Sequence, residues 1–575
     1  MKTLVLSALI FTLLASITHS QDLPNQMTDE ETNIWKAYLH PANPLFTDPP
    51  PSPVRGMAEW EELQGIIITW RSYYSILSQI VDYAQEEGLV YIICNDSTTV
   101  KNYLQNSGVP LTNVVYLITS SNSIWVRDYG PWTAYSNDID TLNIIDWKYN
   151  RPRPLDDVTP EFFADYIDAP IFQTTTPPYN LTHSGGNLFV DGHGTAFSSK
   201  LILNENPAHT EAEIDTIMKK YLGIDRYIKM TTLPYDVIHH IDMHMKLLDE
   251  ETLLVGEYPE GIADGPQIEA NLQYVINNFK TCYGREFKVV RIPMPPDANG
   301  HYPHQGGDYR TYTNSMIINK TVIIPTYELQ YDTTAFRIYQ EAMPGYNIVG
   351  INSNGIIPQL GAIHCIVKEV GAFEPVFISH AKIGDIVEES DSIKINAVIK
   401  SNSGIAGAAV YWTDDLNNGF QQLQMYYQSG DTLTAYIPPQ IDETEIYYYI
   451  AATSNRDKTI TKPITAPDGY YNFVVQNSIT NIEESSSPKG YLVSANYPNP
   501  FNPATRINYS LDKKSKVSII IFDVLGNEVA VLVDEYNSPG DYTVEFNAGN
   551  LPSGVYFYRF SAGGYIETNK MMLLK

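Results

Sequence analysis

Short apolar strand patterns alternate with amphipathic helix patterns between Arg55 and about Ala372, and this alternation restricts the fold most. A unit of strands plus one helix recurs about five times, although the units share little sequence similarity. This region is therefore predicted to have an α/β fold. The predicted helices are Tyr73–Glu87, Thr210–Leu222 (begun by a Thr210/Glu213 capping box), Pro266–Lys280 and Thr333–Met343. The predicted strands include 65–70, 114–119, 200–204, 251–258 and 315–325.

The segments around this region have other patterns. Residues 1–20 have a charged start, an apolar core and small residues at the end, which is typical of a secretory signal. Residues 21–54 are polar and proline-rich and are predicted to lie on the surface. Residues 373–478 lack a helical pattern and alternate short strands with turns, which predicts a β-sandwich. A serine-rich linker at 479–490 precedes a second small β-domain at 491–575.

The composition restricts which ligands the protein is expected to bind and in which compartment it is expected to work. A formal net charge of −29 disfavours non-specific binding to nucleic acid and favours attraction of cationic ligands. No run of about 18 apolar residues follows the signal segment, so no membrane span is predicted. The three cysteines are too few for a disulfide scaffold, and an odd number in an exported protein leaves at least one free thiol.

Cys365 is the candidate among these thiols. It follows the turn-like run NSNGIIPQLG and is predicted to open a short apolar strand at Ile366–Val367. Taken alone, a cysteine in an apolar run is more often a small buried hydrophobic residue than a nucleophile. We adopt the packing interpretation for Cys94 and Cys282. The nucleophile hypothesis for Cys365 depends on what other stretches supply.

Two stretches carry carboxylates and histidines in patterns suited to acid–base chemistry. Asp128 follows a strand-like run in IWVRDYGPW, where a turn-capping aspartate is the alternative. In HHIDMHM, the side chains of His240, Asp242 and His244 share one face if the segment is an extended strand. A histidine beside a carboxylate suits proton transfer, and a metal site is an alternative that needs further ligands.

Two more stretches offer backbone and amide groups. Gly185–Gly186 in HSGGNLFVDGHGT lets the backbone approach a ligand closely. Asn314 in TYTNSMIIN can donate or accept a hydrogen bond inside a cleft, or it is an ordinary strand residue.

Taken in order, these stretches resemble the guanidino-group-modifying (pentein) superfamily, in particular its agmatine deiminases and bacterial peptidylarginine deiminases. The resemblance spans about residues 50–370 and implies a five-bladed α/β propeller. The matching positions are Arg55-Gly-Met-Ala-Glu-Trp60-Glu, Trp125-Val-Arg-Asp128-Tyr-Gly-Pro, Gly185-Gly186-Asn187, Asp191-Gly192, His240-Ile-Asp242, Asn314 and His364-Cys365.

The resemblance implies hydrolysis of a guanidinium group through a covalent intermediate. Asp128 and Asp242 would grip the planar cation through charge-assisted hydrogen bonds. Cys365 would attack the central carbon, activated by the bound cation or by His240. His240 would protonate the departing ammonia and then activate the water that releases the product.

The remaining positions concern orientation and substrate choice. By the resemblance, Asn314 would orient the reacting sulfur and Trp125 would pack on the apolar stem of the substrate. Arg151 and Arg153 each precede a proline, which favours extended backbone, so their guanidiniums can share one side and clamp a carboxylate. A solvated basic loop is the alternative. In context the pair resembles the arginines with which bacterial peptidylarginine deiminases hold the carboxylate of a C-terminal arginine.

Agmatine fits these arginines poorly, because it lacks that carboxylate and carries a second cation. Ser184 also stands where agmatine deiminases tend to have an acidic residue. The sequence therefore favours peptidyl arginine over agmatine.

The C-terminal domain resembles the sorting domain of the type IX secretion route of Gram-negative bacteria, through YPNPFNPAT, DVLGNEV, GVYFYRF and the terminal KMMLLK. This implies export through the periplasm to the cell surface or medium, with the type IX secretion machinery as a partner. Residues 373–478 resemble an immunoglobulin-like spacer.

The leading hypothesis is a secreted cysteine hydrolase that deiminates arginine-containing peptides or proteins, preferably at a C-terminal arginine. Agmatine deiminase is the second enzyme hypothesis, and a secreted adhesin on an inactive propeller is a third hypothesis from another class. No metal is assigned to the site and no cofactor is required. Structural calcium in acidic loops is left open, although no EF-hand loop appears.

Overall fold

The computed structural model describes residues 23–35, 38, 48–384, 386–388, 392–441, 443–476, 492–493, 496, 498–511, 513–524, 526–562 and 565–575. The chain divides into two compact units, Met1–Ser478 and Ile479–Lys575, which are described separately. The predicted signal segment and the predicted linker lie outside the described residues.

The described residues from Val54 to Gly371 form five small mixed sheets that share one arrangement. In each sheet, an antiparallel pair is extended by a parallel strand that the chain reaches through a helix. The strands, sheet by sheet, are Val54–Gly56, Trp132–Ser136, Leu142–Tyr149, Ile171–Thr174 and Thr182–His183; Phe189–Val190, Thr195–Ser199 and Arg226–Met230; Met245–Leu247, Thr252–Glu257 and Lys288–Pro293; Met316–Ile318, Thr321–Thr326 and Asn347–Asn352; and Leu63–Thr69, Leu89–Cys94, Val114–Ile118 and Lys368–Gly371.

The last of these sheets joins the two ends of the region. Lys368–Gly371 pairs antiparallel with Leu63–Thr69, which also pairs in parallel with Leu89–Cys94. Ile66, Ile67 and Ile68 are fully buried, as expected for a strand with both faces covered. Their continuous apolar run is thus explained by burial on two sides.

The four predicted helices are confirmed with small shifts at their ends. They span Tyr74–Glu87, Glu211–Leu222, Gly265–Asn278 and Leu329–Ala342. The Thr210 hydroxyl accepts from the Glu213 N–H, and the Glu213 carboxylate accepts from the Thr210 N–H at 2.7 Å, which confirms the capping box. The other α-helices are Asp29–Trp35, Ser97–Asn106, Val126–Tyr129, Pro154–Asp157, Thr159–Ile167 and Leu201–Glu205.

One predicted strand, at residues 200–204, is wrong. The chain there forms the helix Leu201–Glu205, in which Ile202 alone is buried. Adjacent apolar residues predict a strand, but only Ile202 is buried in the core. A single helical turn is enough to bury one side chain.

Residues 373–478 form two sheets, and their described part contains no α-helix. Along Ile393–Lys400, Ile393, Ile395, Ala397 and Ile399 are buried while their neighbours face outward, which confirms the predicted alternation. One sheet contains Phe377–Ser379, Ile393–Lys400, Tyr426–Ser429 and Thr432–Ile437. The other contains Ile386–Glu388, Ile405–Thr413, Gln421–Gln424, Glu445–Ser454, Thr459–Lys462 and Tyr471–Gln476.

The second unit also consists of two antiparallel sheets. Ile507, Ile519, Tyr558 and Phe560 contribute to its apolar core. One sheet contains Leu492–Val493, Ala504–Leu511 and Gly540–Asn547, and the other Ser515–Phe522, Glu528–Asn537, Gly554–Ala562 and Tyr565–Leu573. In the part of the chain that the structure describes, none of the helices has the length and apolar character to span a membrane.

Candidate active site

Cys365 lies in a 3-10 turn, His364–Ile366, and its side chain is fully buried. The prediction that it opens a strand at Ile366–Val367 is wrong, because the next strand begins only at Lys368. The N–H groups of residues 366 and 367 donate back into the turn rather than to a neighbouring strand. The Cys365 sulfur is therefore held on a tight turn and not at the start of a strand.

The side-chain amide of Asn314 links this turn to the sulfur. Its oxygen accepts hydrogen bonds from the backbone N–H groups of Ala362 at 3.2 Å and His364 at 3.0 Å. These donors fix the amide so that its NH2 group faces the Cys365 Sγ at 3.2 Å. A donor in this position favours the thiolate over the thiol.

Asp128 reaches the same region from a one-turn helix, Val126–Tyr129, and not from the strand-like run that the sequence predicts. Its Oδ1 atom accepts a hydrogen bond from the Gly186 N–H at 3.0 Å. The side chain is 3 % exposed. Gly186 therefore holds one oxygen of this carboxylate through its backbone N–H.

His240 and Asp242 are also wrongly predicted in their local structure. They flank and occupy a 3-10 turn, Ile241–Met243, so the argument from a shared strand face does not apply. The two side chains nevertheless converge with Asp128 over Gly186. A Cβ atom on Gly186 would lie 2.6 Å from His240 Nδ1, 3.0 Å from Asp128 Oδ1 and 3.2 Å from Asp242 Oδ2. His244 is not one of these three nearest groups, and any side chain at position 186 would displace them.

A second glycine sets the position of Trp125. A Cβ atom on Gly361 would lie 2.5 Å from Trp125 Cζ3 and 3.1 Å from Cys365 Sγ. The indole ring and the sulfur therefore lie on the same side of this residue. Trp125 is fully buried, and its Nε1–H donates to the Leu23 carbonyl at 2.7 Å.

Sequence reasoning assigned no role to Glu59 or to the His364 side chain. His364 Nδ1 lies 2.7 Å from Asp242 Oδ2, and His364 Nε2 lies 2.9 Å from Glu59 Oε2. Lys246 donates to the other Glu59 oxygen at 2.8 Å. Both ring nitrogens of His364 therefore face carboxylate oxygens, one of Asp242 and one of Glu59. The signals in the sequence were the GMAEWE run and the histidine beside Cys365.

Burial and neighbouring charge set the protonation of the central groups. Burial, and then the negative charges of Asp242 and Asp128, raise the pKa of the Cys365 thiol well above its ordinary value. Burial lowers the pKa of His240, although the same two carboxylates oppose that shift. Burial would raise the pKa of Asp242, but the hydrogen bond and charge of His364 bring it below the ordinary value. These surroundings thus favour a neutral thiol, a neutral imidazole and an ionised Asp242.

Several buried polar atoms around this point lack hydrogen-bond partners among the described residues. They are Asp128 Oδ2, Asp242 Oδ1 and both ring nitrogens of His240. Buried polar atoms are normally paired, and unpaired carboxylate oxygens are costly. Acceptors that converge beside a thiol suit a cation that carries several N–H donors.

Arg151 and Arg153 are both buried, and they donate to neighbouring carbonyls of the same segment, those of Asn25 and Pro24. Arg151 Nε donates to the Asn25 carbonyl at 2.9 Å. Arg153 donates to both carboxylate oxygens of Glu31, at 2.7 and 3.1 Å. The alternative of a solvated basic loop is therefore wrong, and one arginine already holds a carboxylate of the same chain.

The predicted alternative of a metal site at His240, Asp242 and His244 finds no arrangement to support it. Within the described ranges, no group of three or more histidine, cysteine, aspartate or glutamate side chains is placed to hold a metal ion.

Two parts of the chain match models of known protein families. Residues 55–370 match the family model described as Porphyromonas-type peptidyl-arginine deiminase. Residues 495–574 match the model described as a secretion system C-terminal sorting domain.

The individual relatives and the solved structure described next are 20% to 26% identical to this chain. A protein of Vibrio parahaemolyticus, provisionally named agmatine deiminase, is 25% identical over 312 residues, which cover 49% of this chain and 83% of the relative. A protein of Shewanella sp. (strain W3-18-1) with the same provisional name is 26% identical over 367 residues, which cover 57% and 97%. An X-ray structure, also of a provisionally named agmatine deiminase, superposes with a TM-score of 0.50 at 20% identity and covers 56% of this chain and 96% of that one. It supports the fold alone.

Proposed function

The chain belongs to the Porphyromonas-type peptidyl-arginine deiminase family, and we propose that its substrate is peptidyl arginine, preferably at a C terminus. The chain is accordingly a deiminase of the pentein family, a hydrolase of amidine C–N bonds. Its type IX sorting domain marks it for export to the cell surface or the medium. The product of the proposed reaction is citrulline, and ammonia is released.

The observation that carries this proposal is the set of unpartnered acceptors beside Cys365. A guanidinium is planar and offers five N–H donors, so it can pair with Asp128 and Asp242 together. Such a pairing would satisfy Asp128 Oδ2 and Asp242 Oδ1, which have no partner within the described residues. It would also place the central carbon beside the sulfur.

The proposed reaction proceeds by two additions at that carbon. His240 accepts the thiol proton as the Cys365 sulfur adds, which gives a tetrahedral adduct. His240 returns the proton to one nitrogen, which leaves as ammonia, and a thiouronium remains on the sulfur. Water then adds as His240 accepts its proton. The C–S bond breaks as the remaining hydroxyl proton passes to the sulfur, which gives the ureido group and the thiol, and His240 releases its proton to the solvent.

The charges around Cys365 link activation of its thiol to binding of the substrate. The raised pKa of Cys365 keeps the thiol neutral while no cation pairs with Asp128 Oδ2 and Asp242 Oδ1. A bound guanidinium offsets both negative charges, so the thiol loses its proton more readily. His364 holds Asp242 ionised and oriented, since burial alone would raise the pKa of Asp242, and Glu59 contacts the other ring nitrogen of His364.

This proton route gives a pH dependence. The reaction begins with a neutral His240, whose pKa lies below its ordinary value of about 6.5. We therefore expect kcat/KM to hold down to about pH 6.5 and to fall below it, as His240 gains a proton before substrate binds. The measurement is the pH profile of ammonia release, with circular dichroism at each pH as the control for folding. An acid limb above pH 7 would contradict the assignment.

Substrate class rests on Arg151 and Arg153. The pair presents buried guanidiniums, and Arg153 binds a carboxylate in the two-pronged geometry expected for the end of a peptide. The provisional names of the relatives favour agmatine as the second candidate. Agmatine would bring a second cation towards two arginines and has no carboxylate for them to bind.

The clamp is tested with a peptide that ends in arginine, the same peptide with an amidated terminus, and agmatine. We expect the free acid to be preferred over the amide by roughly 10- to 100-fold in kcat/KM, because a buried charge pair is lost in the amide. The double variant Arg151→Gln, Arg153→Gln should abolish this preference and affect agmatine much less. Equal turnover of acid and amide by the native protein would reject the clamp.

The wider architecture follows the same proposal. The five sheets of Val54–Gly371 would be the blades of a five-bladed propeller, since each repeats one arrangement and the last strand, Lys368–Gly371, pairs with Leu63–Thr69 near the start of the region. The two sheets of residues 373–478 would form an immunoglobulin-like spacer. The adhesin alternative is weakened because an inactive propeller has no need for buried, unpaired carboxylates around a thiol.

A further inference from the structure

The N-terminal segment, residues 23–31, contacts the proposed substrate-binding residues directly. The sequence predicts that residues 21–54 lie on the surface, but Asn25 is 0% exposed and Glu31 is 7% exposed. Gln26, Asp29 and Glu30 are exposed, in keeping with a surface segment, so the prediction fails only at Asn25 and Glu31. The polar groups of these two residues contact arginines and carbonyl oxygens instead of solvent.

The backbone of the segment accepts hydrogen bonds at four consecutive carbonyls, of which that of Gln26 accepts from Arg153 at 3.2 Å. The Leu23 carbonyl accepts from Trp125 Nε1, and the Pro24 carbonyl accepts from Arg153 at 2.7 Å. The Asn25 carbonyl accepts from Arg151. Each donor is a residue to which the proposed function gives substrate contact. The main-chain carbonyls of any peptide can accept these hydrogen bonds. Binding through them would therefore not depend on the sequence of the peptide.

Asn25 also binds the turn that leads to Cys365. Its N–H donates to the Gln359 carbonyl at 3.0 Å, and its side-chain amide donates to the Leu360 carbonyl at 3.3 Å. These carbonyls immediately precede Gly361, which lies against both Trp125 and Cys365. The segment therefore contacts both sides of the groove next to the sulfur.

Glu31 supplies the negative charge. It caps the helix Asp29–Trp35 together with Thr28, whose N–H donates to the Glu31 carboxylate at 2.8 Å. The same carboxylate receives two hydrogen bonds from Arg153. Burial opposes ionisation, but the hydrogen bond and charge of Arg153 bring the pKa of Glu31 below its ordinary value. The pair is thus ionised at neutral pH.

We propose that residues 23–31 occupy the peptide-binding groove of the site and hold it closed, with the Glu31 carboxylate where the α-carboxylate of a substrate would bind. The proposal rests on the proposed function. It agrees with the burial of Cys365, His240 and Asp242, each of which is 0% exposed, so substrate has no route while the segment is bound. The ligand of the groove is a peptide that carries a carboxylate, and substrate competes with a tethered copy of that chemistry.

The test compares Glu31→Gln with Glu30→Gln in the full-length chain. Both variants lose one negative charge from the same helix, but Glu30 is exposed. Glutamine at position 31 can still cap the helix and no longer pairs with a guanidinium charge. We expect alkylation of Cys365 by iodoacetamide to become about tenfold faster in Glu31→Gln only, since a charge-assisted pair is lost. Peptide mass spectrometry separates Cys365 from Cys94 and Cys282.

A second variant guards against a folding artefact. Asn25→Ala removes the donor to the Leu360 carbonyl without touching either arginine side chain, and it should also speed alkylation. Thermal midpoints of all variants are measured alongside. Alkylation at the native rate in both variants would overturn the proposal.

Turnover of the arginine peptide distinguishes failure of the closed-groove proposal from failure of the proposed function. Faster alkylation with faster turnover supports both the closed groove and the proposed function. Faster alkylation without turnover of any guanidine supports the closed groove and rejects the function. Native alkylation with normal turnover keeps the function and rejects the closed groove.

Discussion

Replacing Cys365 with serine is expected to lower kcat/KM for arginine peptides by at least about four orders of magnitude. The proposed route has one nucleophile, and a serine hydroxyl in the same turn is far less readily ionised. Asn314 should still donate to the hydroxyl, so the local fold should persist. Ammonia release and the mass of the peptide give the measurement.

Cys282→Ser is the matched control, because Cys282 is half-buried and lies outside the site. It should leave turnover unchanged. Unchanged turnover in Cys365→Ser would show that the Cys365 sulfur takes no part in the reaction. If that variant also kept every biological effect of the protein, the adhesin hypothesis would gain support.

Asp128→Asn and Asp242→Asn are each expected to lower kcat/KM by roughly 10³-fold, since each leaves a buried cation with one anionic partner. The loss should be similar for agmatine and for arginine peptides, because both carry the same guanidinium. Loss of the arginine clamp, in contrast, should affect only the peptide. The measurement is the ratio of kcat/KM values for the two substrates in each variant.

Asp225→Asn is the control for charge alone, since its side chain is 71% exposed and pairs only with exposed Lys219 among the ion pairs that the structure describes. Activity should not change. A loss confined to one substrate in Asp128→Asn or Asp242→Asn would contradict the shared grip on the guanidinium.

Local patterns predicted much of the fold. The capping box at Thr210 fixed a helix start because its two hydrogen bonds span only three residues. Continuous apolar runs such as that around Ile67 found buried strands. The strand at residues 200–204 failed because burial of Ile202 alone does not distinguish a helical turn from a strand.

The candidate site was identified by order and resemblance rather than by local geometry. His240, Asp242 and Cys365 were assigned to strands, yet each belongs to or adjoins a 3-10 turn. The side chains still converge because the turns meet over Gly186 and Gly361. Short turns of this kind carry no periodic signal.

Long-range pairings were missed for a different reason. His364 and Glu59 are 305 positions apart, and Arg153 and Glu31 are 122 apart. Nothing in either neighbourhood specifies the partner. Only the folded chain brings such groups together.

The central claim is that two carboxylates hold a guanidinium while the Cys365 sulfur adds to its carbon. Rapid chemical quenching of the protein with excess arginine peptide, followed by mass spectrometry, tests it most directly. The account predicts a transient adduct on Cys365 whose added mass equals that of the peptide minus ammonia. Citrulline formation with Cys365 unmodified at every time point would contradict it.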